Sequence, residues 1–237
     1  MIDALALQPG QRLLELAAGP GETGFLAAEL VLPGGTLISS DQSNAMLEVA
    51  RARATELGLE NVEFRPINAE SIDLPVASID AVLCRWGYML MIDPQAALAE
   101  TRRVLRAGGR LALAVWDSPE SNPWLVVPNR VLIEHGLMEA PDPSAPGPFA
   151  LSEPQRLTEL LEQAGFTGIE LERVDIVRRA ASFEDWWQMH LDMSPAGALV
   201  RASDPSVAAQ VAADVRERLA GYGLEIPGRS LVAAAEA

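Results

Sequence analysis

Apolar residues recur along the first half of the chain in two alternating rhythms. Short apolar or alternating runs at Leu13–Ala18, Thr36–Ser40, Val62–Ile67, Ile79–Cys84 and Leu111–Trp116 have the length and content of strands. Between them lie segments whose apolar positions fall three and four apart. One runs from Glu22 to Leu32. A second follows Ser43, a plausible N-cap, with Met46, Leu47, Ala50, Ala54 and Leu57 repeating at helical spacing and Gly58 placed to end it. A third is opened by Asp93-Pro94, with Arg102, Arg103 and Arg106 toward its C-terminal end and Gly108-Gly109 as its stop. Strands alternating with helices from Arg12 to Trp116 predict a parallel sheet with helices on both faces.

After Trp116 the rhythm changes. Residues 117–150 carry Pro119, Pro123, Pro128, Pro141, Pro143, Pro146 and Pro148, with a helix expected at about 122–135. Ser152–Ala164 reads as a helix capped by Gly165, and Gly168–Val177 as a strand. Residues 182–221 are helical again, with Trp186 and Trp187 adjacent, and Gly228–Ala235 reads as a last strand. We expect residues 1–116 to form a nucleotide-binding core and 117–237 to be the remainder of the same domain. Within that remainder, 151–178 and 228–235 complete the sheet, while 117–150 and 182–221 cover the substrate.

The chemistry concentrates at residues 12–24. The apolar run breaks into Gly19-x-Gly21-x-x-Gly24, where glycines permit a sharp turn and the following helix start offers free N–H groups. Asp41, at the end of the second strand, could accept bonds from ribose hydroxyls, so the spacing also fits a dinucleotide fingerprint. Glu15 is a carboxylate in an apolar strand and needs a partner there.

Composition narrows the field. Of 237 residues, 49% are hydrophobic and 22% charged, as in ordinary globular chains. No apolar run approaches bilayer length and the N-terminus lacks a basic-then-apolar signal, so the expected location is the cytoplasm. Cys84 is the single cysteine, which excludes an intramolecular disulfide, and no Cys/His cluster suggests a metal. A net charge of −15 would repel a polyanion, so nucleic acid is not an expected partner. All 18 basic residues are arginine. The absence of lysine removes Schiff-base chemistry, a P-loop lysine and the Tyr-x-x-x-Lys pair of short-chain dehydrogenases.

In order along the chain, Leu-Glu-Leu-Ala-Ala-Gly-Pro-Gly, Asp41-Gln-Ser-Asn-Ala-Met46-Leu, Asn68-Ala-Glu, Ile79-Asp-Ala-Val-Leu-Cys-Arg-Trp-Gly and Arg103-Val-Leu-Arg-Ala-Gly-Gly-Arg resemble the class I S-adenosylmethionine-dependent methyltransferases. The likeness is to the small-molecule group that includes the quinone-biosynthesis enzymes, and Gly147-Pro-Phe149 and Glu162-Gln-Ala-Gly-Phe166 extend it. The resemblance implies a Rossmann-like, seven-stranded, mostly parallel sheet with its last strand antiparallel and a helical insertion between the last two strands. It implies S-adenosylmethionine as cofactor and S-adenosylhomocysteine as product. Glu15 and the turn from Gly19 to Gly21 would then hold the methionine part, Asp41 would take the ribose hydroxyls, and Met46 would pack on adenine, with Ala17 and Gln42 also binding the cofactor. Asn68 and Ala69 would face the adenine edge, and Cys84 would offer a carbonyl near the amino group. Ala17 stands where the family usually has glycine, and Asn68 where aspartate is common.

Methyl transfer from a sulfonium needs alignment and water exclusion more than a catalytic triad. For a general base, His190 is a weak candidate; His135, beside Gly136 at a helix end, reads as structural. Arg85, Trp86 and Tyr88 leave the fourth strand at the sheet's carboxyl edge. With Trp116, Phe149 and Trp187, and with Met89 and Trp124 in the same apolar set, they suggest a small apolar or aromatic acceptor. A homodimer is compatible with the chain. Two other readings stay open on the residues alone: an NAD(P)-dependent oxidoreductase using the same glycine turn, and a non-catalytic S-adenosylmethionine-binding protein.

Overall fold

The computed structural model describes residues 1–142, 145–194 and 196–237; Pro143, Ser144 and Pro195, which fall within the two expected cover segments, lie outside the described residues. The leucine- and valine-rich runs form the centre of a sheet. β1 (Arg12–Glu15) pairs in parallel with β2 (Thr36–Asp41) on one side and β4 (Ile79–Arg85) on the other. β3 (Val62–Pro66) continues from β2, and β5 (Leu105–Trp116) from β4. With β6 (Thr167–Arg179) and β7 (Glu225–Glu236) the strand order is β3-β2-β1-β4-β5-β7-β6. β7 runs antiparallel to both its neighbours. Its bonds to β5 show the sense: Ala237 donates to Gly109 while Asp117 donates to Arg229. The seven-stranded, mostly parallel sheet with an antiparallel last strand is the expected one, and the helices between β6 and β7 are the expected insertion.

The chain divides into two compact units. The first comprises Met1–Trp116, Pro146–Arg173 and Leu231–Ala237; the second comprises Asp117–Ala145 and Val174–Ser230. In the first unit, α1 (Gly24–Leu30), α2 (Asn44–Glu56) and α3 (Pro94–Val104) connect the strands, and α5 (Pro154–Gln163) packs on α3. Capping is local. Ser43 Oγ accepts the Met46 N–H at 3.4 Å, and Asp93 Oδ1 accepts the Ala96 N–H at 2.9 Å with Pro94 in the first turn. Leu47, Ala50 and Ala54 of α2 are buried, whereas Met46 and Leu57, counted among its apolar repeat, are 43% and 57% exposed. Both sit off the stripe that the three buried residues define.

The end of α3 also differs from expectation. The helix stops at Val104, and Leu105 already pairs with Ile79 in the sheet. The register then shifts, so that the next pair is Ala81 with Arg110. Leu105 is 2% exposed, so its burial in the sheet outweighs the helical tendency of the arginines that follow. At this irregularity Asp80 takes over the polar bookkeeping. Its carboxylate pairs with Arg106, which therefore does not serve the helix terminus, and accepts the Arg12 N–H at 2.6 Å.

The second unit packs α4 (Pro123–Glu134) on α8 (Pro205–Leu219), beside α6 (Phe183–Met193) and α7 (Ala196–Ala202). The buried Asn122 organises its start. Its amide donates to the carbonyls of Asp117, Ser118 and Arg229, and its oxygen accepts from Trp124 Nε1 and the Arg229 N–H, all at 3.0–3.1 Å. His135, at the end of α4, bonds Asp214 Oδ2 at 2.8 Å, a structural contact as its position suggested.

Gly35 provides a sharp test of the β1–β2 framework. A Cβ there would collide with the Val31 carbonyl and lie 2.6 Å from that of Gln11, both backbone atoms holding the turn. Gly35→Ala is therefore expected to lose more than about 2 kcal/mol of stability in urea denaturation, whereas Gly221→Ala, with open space around it, changes stability by less than about 0.5 kcal/mol.

Candidate functional site

In the strand order β3-β2-β1-β4, the chain builds outward from β1 in one direction through β2 and β3, then returns to start again at β4. The loops at the carboxyl ends of β1 and β4 thus part company, leaving a crevice between them. A cavity of about 480 Å³ occupies this place. Ala17 enters it from the end of β1, Asp41 and Gln42 from β2, and Ile67 to Glu70 from β3; Trp86, Gly87 and the run Leu90 to Ile92 come from the loop after β4.

Carboxylates and amides tie these loops to one another. Asp41 Oδ2 accepts the Gly19 N–H and its Oδ1 the Ser43 N–H, both at 2.9 Å, so one side chain joins the glycine turn to the start of α2. Asn68 Oδ1 accepts from Gln42 Nε2 and from the Glu70 N–H, again at 2.9 Å. Glu70 Oε1 in turn accepts the N–H groups of Ile92 and Asp93 at 2.8 and 3.3 Å, linking the β3 and β4 loops. Across the glycine turn, Arg85 pairs with Glu22.

Glu15 is the strongest electrostatic feature. It is 2% exposed; its Oε1 accepts the Gly24 N–H at 2.8 Å, and its Oε2 has no hydrogen-bond partner among the described residues. Burial pushes its pKa up to about 8, opposed by the Gly24 bond and the nearby Arg85 charge and reinforced by Asp41 and Glu22. With Glu15 kept neutral by its burial, the Asp41 and Glu22 carboxylates still outnumber the Arg85 guanidinium around the turn, an environment suited to a cationic ligand.

Two residues accept unusual backbone conformations here. Ala17 has φ +50°, the left-handed region in which glycine is at ease, which explains why a glycine would be usual at this position; the alanine costs about 1 kcal/mol. Trp86 has φ +59°, rarer still for a bulky residue. Its ring is held by Trp116, stacked with centroids 4.2 Å apart, and by the Arg85 guanidinium at 4.4 Å. Next to it, Gly87 has no room for a Cβ, which would meet Cys84 Sγ at 2.6 Å and the Ala17 Cβ at 2.7 Å. The Cys84 sulfur accepts the N–H groups of Gly87 and Tyr88, and burial pushes the thiol up to about 12, so it is a capping group and not a nucleophile.

Of the ten expected cofactor residues, Ala17, Asp41, Gln42, Asn68 and Ala69 line the cavity. Gly19 is bonded to the lining residue Asp41, and Gly21, at φ +79°, completes the turn. Glu15 and Cys84 are buried behind this wall, and Met46 sits exposed on α2. The expected acceptor residues disperse. Tyr88 is 1% exposed and its hydroxyl lies 2.6 Å from Thr101 Oγ1, whose own proton goes to the Ala97 carbonyl, so Tyr88 is the donor. Burial raises its pKa well above the ordinary value. It has no surface to offer a ligand. Trp116, Met89 and Trp124 are likewise core residues, Phe149 is half-buried, and only Trp86 of the aromatic set reaches the cavity. Large aromatic surfaces are drawn first to packing.

Trp187 and His190 belong to the second unit, where His190 stacks with Trp186 and Trp187 at 5.3 and 5.7 Å. It is 6% exposed, and burial depresses its pKa to about 4 with help from Arg178, leaving a neutral imidazole. The lining residues that sequence reasoning passed over are Ile67, Glu70, Gly87, Leu90, Met91 and Ile92. Glu70 ends the Asn68-Ala-Glu motif, and the apolar run just before the Asp93-Pro94 cap was a usable signal for Leu90, Met91 and Ile92.

The chain matches a family model described as "Methyltransferase domain" over residues 7–165. It is 35% identical over 123 residues to a ubiquinone/menaquinone biosynthesis C-methyltransferase UbiE from Hahella chejuensis, covering 52% of this chain and 49% of that protein. It is 31% identical over 193 residues to nocamycin O-methyltransferase from Saccharothrix syringae, covering 78% of this chain and 69% of that one. The chain spans between a third and a half of the length of the first curated relatives it matches, 34% and 49%. Among solved structures, the YcgJ protein of Bacillus subtilis shares the fold, with a TM-score of 0.66 at 20% identity over 100% of this chain and 96% of that one. Among the described residues, no helix is long and apolar enough to cross a membrane, and no group of three acidic, His or Cys side chains could hold a metal ion.

The orphaned Glu15 oxygen predicts a pH effect. Between about pH 4.5 and 8 the folded protein keeps a proton that the unfolded chain has released. The contribution of this group to the stability of the ligand-free protein should therefore be full below pH 4.5 and fall by roughly 5 kcal/mol as pH rises from there to about 8. Urea titrations across that range check the slope, which Glu15→Gln should flatten.

Proposed function

Because the chain belongs to the class I S-adenosylmethionine-dependent methyltransferase family, we propose that it transfers a methyl group from S-adenosylmethionine to a small apolar or aromatic acceptor. The observation that carries this reading is the set of groups around the cavity at the β1–β4 switch point. A volume of about 480 Å³ suits a nucleoside bearing an amino-acid arm. Asp41 retains lone pairs for ribose hydroxyls after taking the Gly19 and Ser43 N–H groups. The carboxylates at this edge, Asp41 and Glu70 in the cavity and Glu22 on the turn, fit a ligand carrying an ammonium and a sulfonium.

The bound cofactor would supply the activated methyl group. The chain's own contribution is positioning. Asp41 and the glycine turn fix the nucleoside, and the Glu70 bonds hold the Leu90–Ile92 wall against the Asn68 loop. That wall is apolar and outward-facing, with Leu90 and Ile92 56% and 86% exposed, which supports an apolar acceptor. The names of the relatives, for ubiquinone/menaquinone biosynthesis and for nocamycin, agree with this class. No described side chain lining the cavity is poised as a strong base, so aromatic acceptors whose hydroxyl or ring carbon is already activated for proton loss are favoured.

The test is transfer of labelled methyl from S-adenosylmethionine to a panel of hydroxylated aromatics, quinols and polar amines. Label should appear on aromatic acceptors, and Glu70→Ala should lower the rate about tenfold or more by loosening the wall. Transfer confined to polar amines would contradict the acceptor class. Cofactor binding with transfer to nothing would favour a non-catalytic role.

A further inference from the structure

We propose that Asn68 makes this pocket indifferent to the 6-amino group of the purine it binds, because the side chain turns a donor and not an acceptor to the ligand. The inference rests on the S-adenosylmethionine reading above. An asparagine amide has one oxygen with two lone pairs and one nitrogen with two protons. Both lone pairs of Asn68 Oδ1 are taken, by the Glu70 N–H and by Gln42 Nε2 at 2.9 Å each. The Glu70 donor is a backbone N–H, which cannot exchange roles, so it fixes which end of the amide is oxygen. Asn68 Nδ2 has no partner among the described residues, and Asn68 lines the cavity. What position 68 can give a base is therefore an N–H.

A purine 6-amino group is itself a donor. To accept from it, Asn68 would have to reverse its amide, giving up the Glu70 N–H and keeping Gln42 only if that amide turned over as well. An aspartate at the same place would keep both bonds on one oxygen and still present the second. The side chain at 68 thus decides whether the amino group is read.

The test compares two probes on the whole protein by calorimetry: S-adenosylhomocysteine, and its analogue with hydrogen in place of the 6-amino group. For the wild type, affinities within about fivefold of each other are expected; for Asn68→Asp, the amino-bearing compound should gain a preference of about tenfold. A wild-type preference above about fivefold for the amino-bearing compound would overturn the proposal, as would an unchanged ratio in a folded Asn68→Asp variant. The wild-type ratio decides alone if that variant does not fold. Failure of S-adenosylhomocysteine to bind at all would instead remove the cofactor reading and the proposal with it.

Discussion

The structure depends on one carboxylate. Asp41 closes β2 and reaches back to the N–H of Gly19 while capturing the N–H of Ser43. Glycines at φ +54° and +79° confer freedom and not rigidity on the turn after β1, so Asp41 fixes it together with the Ala18 N–H bond to Ser40 and the Glu15 bond to Gly24. With Asp41 in place, that turn, the start of α2 and the mouth of the cavity become a single assembly. The same economy appears on the opposite wall, where Glu70 joins the loops after β3 and β4, and behind it, where the Cys84 sulfur caps the turn that carries Trp86 and Gly87. Charged and polar groups at this edge thus spend part of their bonding capacity on architecture and keep the remainder for a ligand.

That division of labour explains the electrostatics. Glu15 is buried with one oxygen unmatched, an arrangement that costs free energy in the absence of a ligand and is retained at functional sites. Ala17 and Trp86 hold left-handed conformations on either side of the same crevice. The strain is supported by packing: Trp86 is clasped by Trp116 and Arg85, and Gly87 leaves space for Ala17.

The core of the fold was legible because period and punctuation agreed. Runs such as Ile79–Cys84 have one stable home in a parallel sheet, and the Ser43 and Asp93 caps act as their sequence context requires. Where expectation and structure part, a tertiary contact overrode local preference. Leu105 was drawn into the sheet early, and Met46 fell outside the buried stripe of α2. For the site, the glycine turn and Asp41 stood out by spacing, while Asn68-Ala69 was marked only by the family resemblance. Tyr88 could not, because a tyrosine at a strand exit looks the same in sequence whether its hydroxyl meets a ligand or Thr101. The aromatic residues were informative about packing more than about the acceptor, and the apolar Leu90–Ile92 wall carried no motif to mark it.

The central claim is that this crevice binds the methyl-donor nucleoside through Asp41. Calorimetric titration of the purified protein with S-adenosylhomocysteine and, separately, with NADPH tests it most directly, with Asp41→Ala as the comparison. The account predicts saturable binding of S-adenosylhomocysteine that weakens by about tenfold or more in the variant, with no saturable NADPH binding. Saturable binding of NADPH, or S-adenosylhomocysteine affinity unchanged in a folded Asp41→Ala variant, would contradict it.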